Sequence, residues 1–162
     1  MALSTGDTLP EVTLAILGAE GPEQVSIKDK TAGRKVVIFA LPGAFTGTCS
    51  TSHVPSFIRT KDDFAAKGVD EVICLSVNDI FVMDAWGKST GATEAGITML
   101  CDPAAEFTKA MGMEFSAPPV GLIDRSKRYA MVVEDGKIVT LHEEENPGVC
   151  DVSGGEALLA TL

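Results

Sequence analysis

An uninterrupted run of apolar residues extends from Val36 to Leu41 and predicts a buried strand at the centre of the fold. The run has the length of a strand and is stopped by Pro42-Gly43. After a short turn, Thr46 or Thr48 can begin a helix, because a threonine hydroxyl accepts a hydrogen bond from a free backbone N–H. The pattern therefore places Cys49 in the first turn of a helix that follows the central strand.

Similar patterns along the rest of the chain predict an α/β fold in a single domain, residues 1–162. Alternating or continuous apolar positions predict strands over Glu11 to Leu17, Gln24 to Lys28, Val72 to Val77, Ile97 to Cys101, Tyr129 to Glu134 and Lys137 to His142. The first two form an amino-terminal hairpin, and Asp135-Gly136 predicts a second hairpin. Helical spacing predicts helices over Cys49 to Lys67, around Phe81 to Trp86, from Asp102-Pro103 to Met111-Gly112, and after a capping box at Ser153 to Glu156. Strands followed by helices give parallel neighbours, so we expect a central mixed sheet flanked by helices.

Cap and turn residues predict where the remaining elements end. Asn78 or Asp79 caps the helix that contains Trp86, and Gly87 ends it. The segment from Ala117 to Gly121 is predicted to be a loop, and the acidic run from Glu143 to Glu145 a solvated turn.

Pro55 lies inside the helix predicted to carry Cys49. It cannot donate a hydrogen bond to the carbonyl of Thr51, and its ring strains a regular helix there. Two interpretations stay open: a static kink, or a first turn that unwinds independently after Cys49 is oxidised.

Cys49 itself has two interpretations. A free cysteine is most often a small buried core residue. At the start of a helix, however, free N–H groups and the helix dipole favour the thiolate, which is the reactive form. The residues that precede Cys49 are unusual for the surroundings of a core residue, since they include Pro42, Gly43, Gly47 and two threonines. They therefore favour a reactive site.

The segment Pro42-Gly43-Ala44-Phe45-Thr46-x-x-Cys49-Ser50 resembles the active-site segment of the type II peroxiredoxins, which include the atypical two-cysteine enzymes. The resemblance covers nearly the whole chain and continues at Gly68 to Asp79, Phe81-Val82, Ala85 to Gly87 and Arg128 to Gly136. Gly47 replaces the family's usual proline, which loosens the turn but keeps the Pro-x-x-x-Thr-x-x-Cys spacing. The resemblance implies a thioredoxin-like fold and an antioxidant, thiol-dependent peroxidase for hydrogen peroxide and alkyl hydroperoxides.

The resemblance also implies roles for individual residues. Cys49 is the nucleophile that becomes a sulfenic acid, Thr46 orients the peroxide by a hydrogen bond, and Pro42 shields the thiolate, a role compatible with ending the strand. Arg128 matches the active-site arginine, because it directly precedes the aromatic residue and the apolar strand of its segment. Spacing alone does not separate Arg128 from the other arginines, which are Arg34, Arg59 and Arg125. His53 lies one turn after Cys49 and is expected to support the site rather than to act as a base.

The sulfenic acid must then be reduced by a thiol, and three sources stay open. Cys150 matches the resolving cysteine of atypical two-cysteine members, and Cys74 matches the resolver of some plant type II members. We prefer Cys150, because Pro147 and Gly148 favour a mobile loop, whereas Cys74 lies in an apolar strand. The third source is an external thiol: thioredoxin, glutaredoxin or glutathione. Cys101 is interpreted as a core residue.

The composition of the chain limits which ligands and cofactors are expected. The net charge of −10 disfavours nucleic acid and anionic membranes as ligands. The first residues carry no secretory pattern, and we find no apolar run of membrane-spanning length, so a cytoplasmic location is expected. The sequence contains neither a metal-ligand cluster nor a G-x-G-x-x-G fingerprint, so no cofactor is expected.

Two other functions use some of the same features. A thioredoxin-like dithiol oxidoreductase is disfavoured by the absence of a C-x-x-C pair. A peroxide sensor, or a redox-regulated binding protein, would use the same Cys49 without turnover. The family resemblance also implies a homodimer.

Overall fold

The computed structural model describes residues 2–162, in which strands and helices alternate along most of the chain. The strands are β1 (Thr13–Gly18), β2 (Gly21–Ser26), β3 (Lys35–Ala40), β4 (Glu71–Ser76), β5 (Thr98–Cys101), β6 (Glu114–Ala117), β7 (Leu122–Ser126), β8 (Tyr129–Glu134) and β9 (Lys137–Glu143). The α-helices are α1 (Ile27–Thr31), α2 (Val54–Ala66), α3 (Ile80–Thr90), α4 (Glu106–Ala110) and α5 (Gly155–Leu159). A π-helical turn, Cys49–His53, leads into α2, and a 3₁₀ turn, Pro118–Val120, joins β6 to β7.

One mixed sheet of seven strands organises the fold, in the order β2-β1-β5-β4-β3-β8-β9. The strand β4 pairs in parallel with both β3 and β5, whereas β8 pairs antiparallel with both β3 and β9. The hairpin of β1 and β2 extends the sheet at one edge. This arrangement confirms the predicted central mixed sheet, with parallel strands in the middle and an amino-terminal hairpin.

Both faces of β3 are buried, which explains why its sequence is apolar without interruption. Val37 and Phe39 face a core that includes residues of α2, α3 and α5. Val36 and Ile38 face a second core, to which α1 and α4 contribute. The central strand is therefore covered by helices on both sides, and its carboxyl end leads directly into the Cys49 segment.

Two element boundaries differ from the prediction near the amino-terminal hairpin and α3. The second strand ends at Ser26, whose side chain accepts a hydrogen bond from the N–H of Asp29 and so begins α1. The helix α3 continues through Gly87 and is followed by Gly91, which has a φ of 83°. Gly87 is buried against the side chains of Thr93 and Met99, so this glycine provides space for packing instead of a helix end.

Two further differences lie beyond β5. The predicted helix at Asp102-Pro103 begins only at Glu106, because the buried Asp102 carboxylate accepts hydrogen bonds from the N–H groups of Phe107 and Thr108, at 3.2 and 2.8 Å. The predicted loop from Ala117 to Gly121 is mostly the 3₁₀ turn at the tip of a small hairpin, in which β6 pairs with β7, and the sequence pattern did not predict this hairpin. None of the helices within residues 2–162 combines the length and the apolar character that crossing a membrane requires.

Candidate active site

A tight turn at residues 44–45 separates β3 from the helix that carries Cys49. Phe45 lies in this turn with a φ of 62°, in the left-handed region that few non-glycine residues adopt. The N–H of Ala44 donates to the side-chain oxygen of Asn78 at 3.0 Å, and the Ser76 hydroxyl donates to the same oxygen at 2.6 Å. The end of β4 therefore holds the turn that precedes Cys49.

The helix begins at residues 47–48 and places Cys49 in its first turn, as predicted. The predicted threonine caps are wrong. The Thr46 hydroxyl donates to the carbonyl of Gly43 at 2.7 Å, and the Thr48 hydroxyl donates to the carbonyl of Gly148 at 2.8 Å. Both threonines bind backbone outside the helix, so they fix the turn and the carboxyl-terminal loop beside it.

A π-helical turn connects Cys49 to α2. The N–H of Val54 donates to the carbonyl of Cys49, which is the wider spacing of a π turn. Pro55 is the second residue of α2 and directly follows the π turn, so its missing N–H falls where the hydrogen-bond spacing of the helix changes. The proline therefore marks the junction between the π turn and a regular helix, instead of a kink inside one α-helix.

The guanidinium of Arg128 contacts the Cys49 thiol. Both side chains are buried, and Nη2 of Arg128 donates to Sγ of Cys49 at 3.1 Å. Arg128 directly precedes β8, the antiparallel neighbour of β3, so the sheet brings the two residues together. A guanidinium stays charged at physiological pH, and it stabilises a thiolate and the charge of an oxygen that approaches it.

His53 and Pro147 hold the other two nitrogens of Arg128. Nη1 lies 3.0 Å from Nδ1 of His53, and Nε donates to the carbonyl of Pro147 at 3.0 Å. Since a guanidinium only donates, Nδ1 of His53 accepts, and its Nε2 carries the proton that is donated to the carbonyl of Ser153 at 2.9 Å. Burial, together with the charge of Arg128, lowers the pKa of His53 to about 3. His53 is thus neutral at physiological pH and supports Arg128, and both of its ring nitrogens are engaged away from Cys49.

A cavity of about 380 Å³ opens beside these residues. Its walls include Pro42, Thr46 and Arg128, which are three of the residues assigned to the site by sequence. Phe115 and Leu122 of the β6–β7 hairpin add an apolar wall that the sequence pattern did not predict. Apolar residues on either side of Pro118-Pro119, followed by Gly121, were the available signal for this hairpin.

The other arginines bind different partners. Arg34 pairs with Glu71 at 2.9 Å, and the exposed Arg59 pairs with Glu156 at 2.7 Å. Arg125 donates to the carbonyl of Pro42 at 3.2 Å and covers Gly43, where a Cβ atom would collide with it. Arg125 therefore supports the turn, while Arg128 contacts the thiol.

The four cysteines are free thiols in different environments. Cys74 is fully buried on β4, and burial together with the neighbouring Cys49 raises the pKa of its thiol well above the ordinary value. Burial and the charge of Asp79 raise the pKa of Cys101 to about 12. Cys150 is only partly buried, and burial raises the pKa of its thiol as well. It lies beside a groove lined by residues of the π turn, α2 and α5.

The loop that carries Cys150 is anchored more firmly than the sequence predicted. Glu144 was expected in a solvated turn, but it is 6% exposed and accepts hydrogen bonds from Asp151 and Ser153. The predicted capping box is also wrong. Ser153 donates to Glu144, Glu156 pairs with Arg59, and Gly154 stands at the start of α5 without a side-chain cap.

Within residues 2–162, we find no group of three or more histidine, cysteine or acidic side chains placed to hold a metal ion.

Comparison with known proteins identifies the family. Residues 4–159 match the Redoxin family. Peroxiredoxin-2D of Arabidopsis thaliana is 41% identical over 161 residues, which cover 99% of this chain and 98% of the relative. The chain belongs to the type II peroxiredoxins. Peroxiredoxin sll1621 of Synechocystis is 47% identical over 133 residues, covering 79% of this chain and 69% of that protein.

Solved peroxiredoxin structures share the fold. The crystal structure of reduced Prx3 from Vibrio vulnificus in complex with H₂O₂ has a TM-score of 0.92 and 45% identity, and the match covers 98% of both chains. The peroxiredoxin family and the thioredoxin-like fold expected from the sequence are thereby confirmed. As a peroxiredoxin, this enzyme is a thiol-dependent peroxidase, which reduces a peroxide at the expense of a thiol.

Proposed function

We propose that Cys49 is the cysteine that attacks the peroxide and that Arg128, Thr46 and Pro42 complete the active site. The main support is the 3.1 Å contact between Nη2 of Arg128 and Sγ of Cys49, beside an open cavity. The thiolate attacks the terminal oxygen of the hydroperoxide, and the O–O bond breaks. The leaving alkoxide or hydroxide takes a proton to give an alcohol or water, and Cys49 becomes a sulfenic acid.

The other residues stabilise this step. The positive charge of Arg128 offsets the negative charge that develops on the oxygens. The Thr46 hydroxyl lies in the cavity wall, where it can donate to the bound peroxide in place of the Gly43 carbonyl. Pro42 has no N–H and adds an apolar ring to the wall, so it shields the thiolate without offering a competing donor.

Hydrogen peroxide and small alkyl hydroperoxides are the proposed substrates. The Vibrio Prx3 structure contains H₂O₂, which supports the smaller substrate. The apolar side chains of Phe115 and Leu122 support the larger ones, because they can contact an organic substituent.

Cys150 is our proposal for the thiol that resolves the sulfenic acid. It is partly accessible, and its loop contacts the Cys49 segment through Thr48 and Gly148. Cys74 is less suited, because its buried thiol ionises far less readily. The external alternatives remain thioredoxin, glutaredoxin and glutathione, and one of them is needed in any case to regenerate the enzyme.

The intact mass of the reduced protein, measured before and after one equivalent of hydrogen peroxide, tests this proposal. Loss of two hydrogens, with a peptide linking Cys49 to Cys150, is the expected result. A Cys49–Cys74 link would name the other resolver, and oxygen on Cys49 alone would assign resolution to an external thiol. Cys49→Ser should abolish turnover, whereas Cys101→Ser is the matched control. Unmodified Cys49 in excess peroxide would contradict the proposed site.

A homodimer and a cytoplasmic location are also proposed. Phe45 and Phe81 are 58% and 66% exposed, which is unusual for phenylalanine and supports a surface for a second copy. Sedimentation of the wild type and of Phe81→Glu tests the dimer, and fractionation of the source cells tests the location. A monomeric wild type at micromolar concentration would contradict the first proposal.

A further inference from the structure

Glu144 is a buried carboxylate to which the proposed reaction assigns no role. It directly follows β9, and its N–H donates to the carbonyl of Arg128 at 3.0 Å. Its side chain turns inward, and one oxygen, Oε2, accepts three hydrogen bonds. The donors are the N–H of Asp151 at 2.7 Å, the N–H of Ser153 at 2.8 Å and the hydroxyl of Ser153 at 2.6 Å. A single carboxylate oxygen thus fixes the segment from Asp151 to Ser153.

That segment is in turn connected to the active site. The carbonyl of the buried Ser153 accepts the proton of His53 Nε2 at 2.9 Å, and His53 Nδ1 accepts from Arg128 Nη1 at 3.0 Å. The same guanidinium donates to Cys49 at 3.1 Å. The donor and the acceptor of each hydrogen bond between Glu144 and Cys49 are determined, because the guanidinium can only donate and the carboxylate and carbonyl oxygens can only accept.

The environment of Glu144 differs from that of its acidic neighbours. Glu143 and Glu145 are exposed, and Glu143 forms a surface ion pair with Lys127 at 3.3 Å. Burying a carboxylate is costly unless its oxygens are hydrogen-bonded. Burial alone would raise the pKa of Glu144, but the hydrogen bonds from Ser153 and Asp151 lower it below its ordinary value. Glu144 therefore remains a charged acceptor at physiological pH.

We infer that Glu144 is a positioning residue of the peroxidase site, which holds Ser153 so that His53 orients the guanidinium of Arg128 toward Cys49. This inference rests on the proposed roles of Cys49 and Arg128. Glu144 does not contact the reacting atoms and acts through Arg128. Without it, the Ser153 carbonyl and the His53 ring lose their fixed positions, and the guanidinium loses one of its two lateral supports.

A double-mutant cycle tests this inference. The rate constant for oxidation of Cys49 by hydrogen peroxide can be followed by the fluorescence of Trp86, whose indole N–H donates to the neighbouring Ser50 at 3.0 Å. Glu144→Ala should lower this rate constant by about tenfold or more, because small displacements of a catalytic group are costly. In an Arg128→Met background, the same substitution should change the rate by less than about twofold, because residues that act through one another are not additive.

Two matched variants separate positioning from stability. Glu144→Gln keeps a side-chain oxygen with two lone pairs in the same place, so it should retain at least two of the three hydrogen bonds and restore the rate to within about threefold of the wild type. Glu145→Ala removes an exposed carboxylate from the same acidic run and should leave the rate unchanged. Circular dichroism establishes that each variant is folded, and Glu144→Asp replaces Glu144→Ala in the cycle if the alanine variant does not fold.

The inference is overturned if folded Glu144→Ala reacts at the wild-type rate, if its effect is equally large in the Arg128→Met background, or if Glu144→Gln is as slow as Glu144→Ala. Failure of the proposed function has a different signature, since Cys49→Ser would then still reduce peroxide or Arg128→Met would react normally.

Discussion

Three nitrogens of the Arg128 side chain each have a separate acceptor, namely Cys49, His53 and the carbonyl of Pro147. A planar fork is needed to reach all three, because their directions diverge from a single side chain. Lysine carries the same charge, but as a point charge on a flexible stem. The site therefore depends on the shape of the cation as well as on its sign.

Arg128→Lys should consequently lower the rate constant for oxidation of Cys49 by about a hundredfold, although the charge is kept. Stopped-flow mixing of the reduced protein with hydrogen peroxide measures this rate. Arg59→Lys, at an exposed ion pair, is the control and should react like the wild type. A lysine variant with normal reactivity would show that charge alone is sufficient.

The burial of neutral His53 makes stability depend on pH. Its pKa is about 3 in the folded protein, compared with an ordinary value of 6.5. As the pH falls below about 6.5, the unfolded chain binds a proton that the folded chain does not, so the free energy of unfolding should decrease. The expected slope is about 1 kcal/mol per pH unit between pH 6 and 5, with no contribution from His53 above about pH 7.5.

Urea unfolding between pH 5 and 8 measures this dependence. The carboxylates with a lowered pKa, which are Glu71, Glu144 and Glu156, lose their contribution only at lower pH, since their ordinary pKa is 4.5. His53→Gln should remove most of the slope. An unchanged slope in His53→Gln would assign the dependence to other groups.

At the scale of elements, the helix start that carries Cys49 combines a tight turn, a π turn and a regular helix within a few residues. Gly47 is the first helical residue, and an added Cβ atom would meet nothing within 4 Å. Proline suits the first position of a helix, because its φ is already helical and its missing N–H would be unpaired there. Glycine at position 47 therefore raises the conformational entropy of the unfolded chain, although the folded structure does not need a glycine there.

Gly47→Pro should raise the free energy of unfolding by up to about 1 kcal/mol, chiefly by restricting the unfolded chain. Thermal unfolding of the wild type, Gly47→Pro and Gly47→Ala measures the effect, and the alanine variant separates the Cβ atom from the ring. Peroxide reactivity should stay within about twofold of the wild type, because the Cys49–Arg128 contact is unchanged. A less stable proline variant would mean that the turn uses the Gly47 N–H.

Local patterns predicted these elements better than they predicted the contacts between them. The apolar run of β3 and the Asp-Gly turn before Lys137 are signals within a few neighbouring residues, and both elements were found where predicted. Glu144 is different, because its partners are mostly backbone N–H groups, which every sequence contains. The threonine caps were wrong for a similar reason, since Thr48 binds a carbonyl 100 residues away. The local pattern placed Cys49 in the first turn of its helix, whereas the choice of Arg128 came from the family resemblance, because spacing alone did not distinguish the arginines.

At the scale of the whole molecule, the sheet separates two hydrophobic cores, and one of them contacts the active site through His53. Phe57 stacks on Phe39 with ring centres 4.0 Å apart, and its ring centre lies 5.6 Å from that of His53. Phe107 is equally buried but packs on the opposite face. The same loss of packing should therefore affect reactivity on one face only.

Phe57→Ala and Phe107→Ala should each lower the free energy of unfolding by about 3–5 kcal/mol, as expected for buried aromatic residues. Only Phe57→Ala should also slow the reaction with peroxide, because it opens space beside His53. Denaturant unfolding and the peroxide rate, measured on the same samples below the unfolding transition, test both effects. Equal slowing by the two variants would indicate that reactivity follows overall stability.

The backbone of Phe45 has one more consequence. A non-glycine residue in the left-handed region is strained by roughly 1 kcal/mol, and asparagine tolerates this region better. Phe45→Asn should therefore make an isolated chain slightly more stable, while removing an exposed aromatic ring from the proposed dimer surface. Measured together by unfolding and sedimentation, the two effects are expected to have opposite signs: the chain gains stability alone and loses affinity for its own copy.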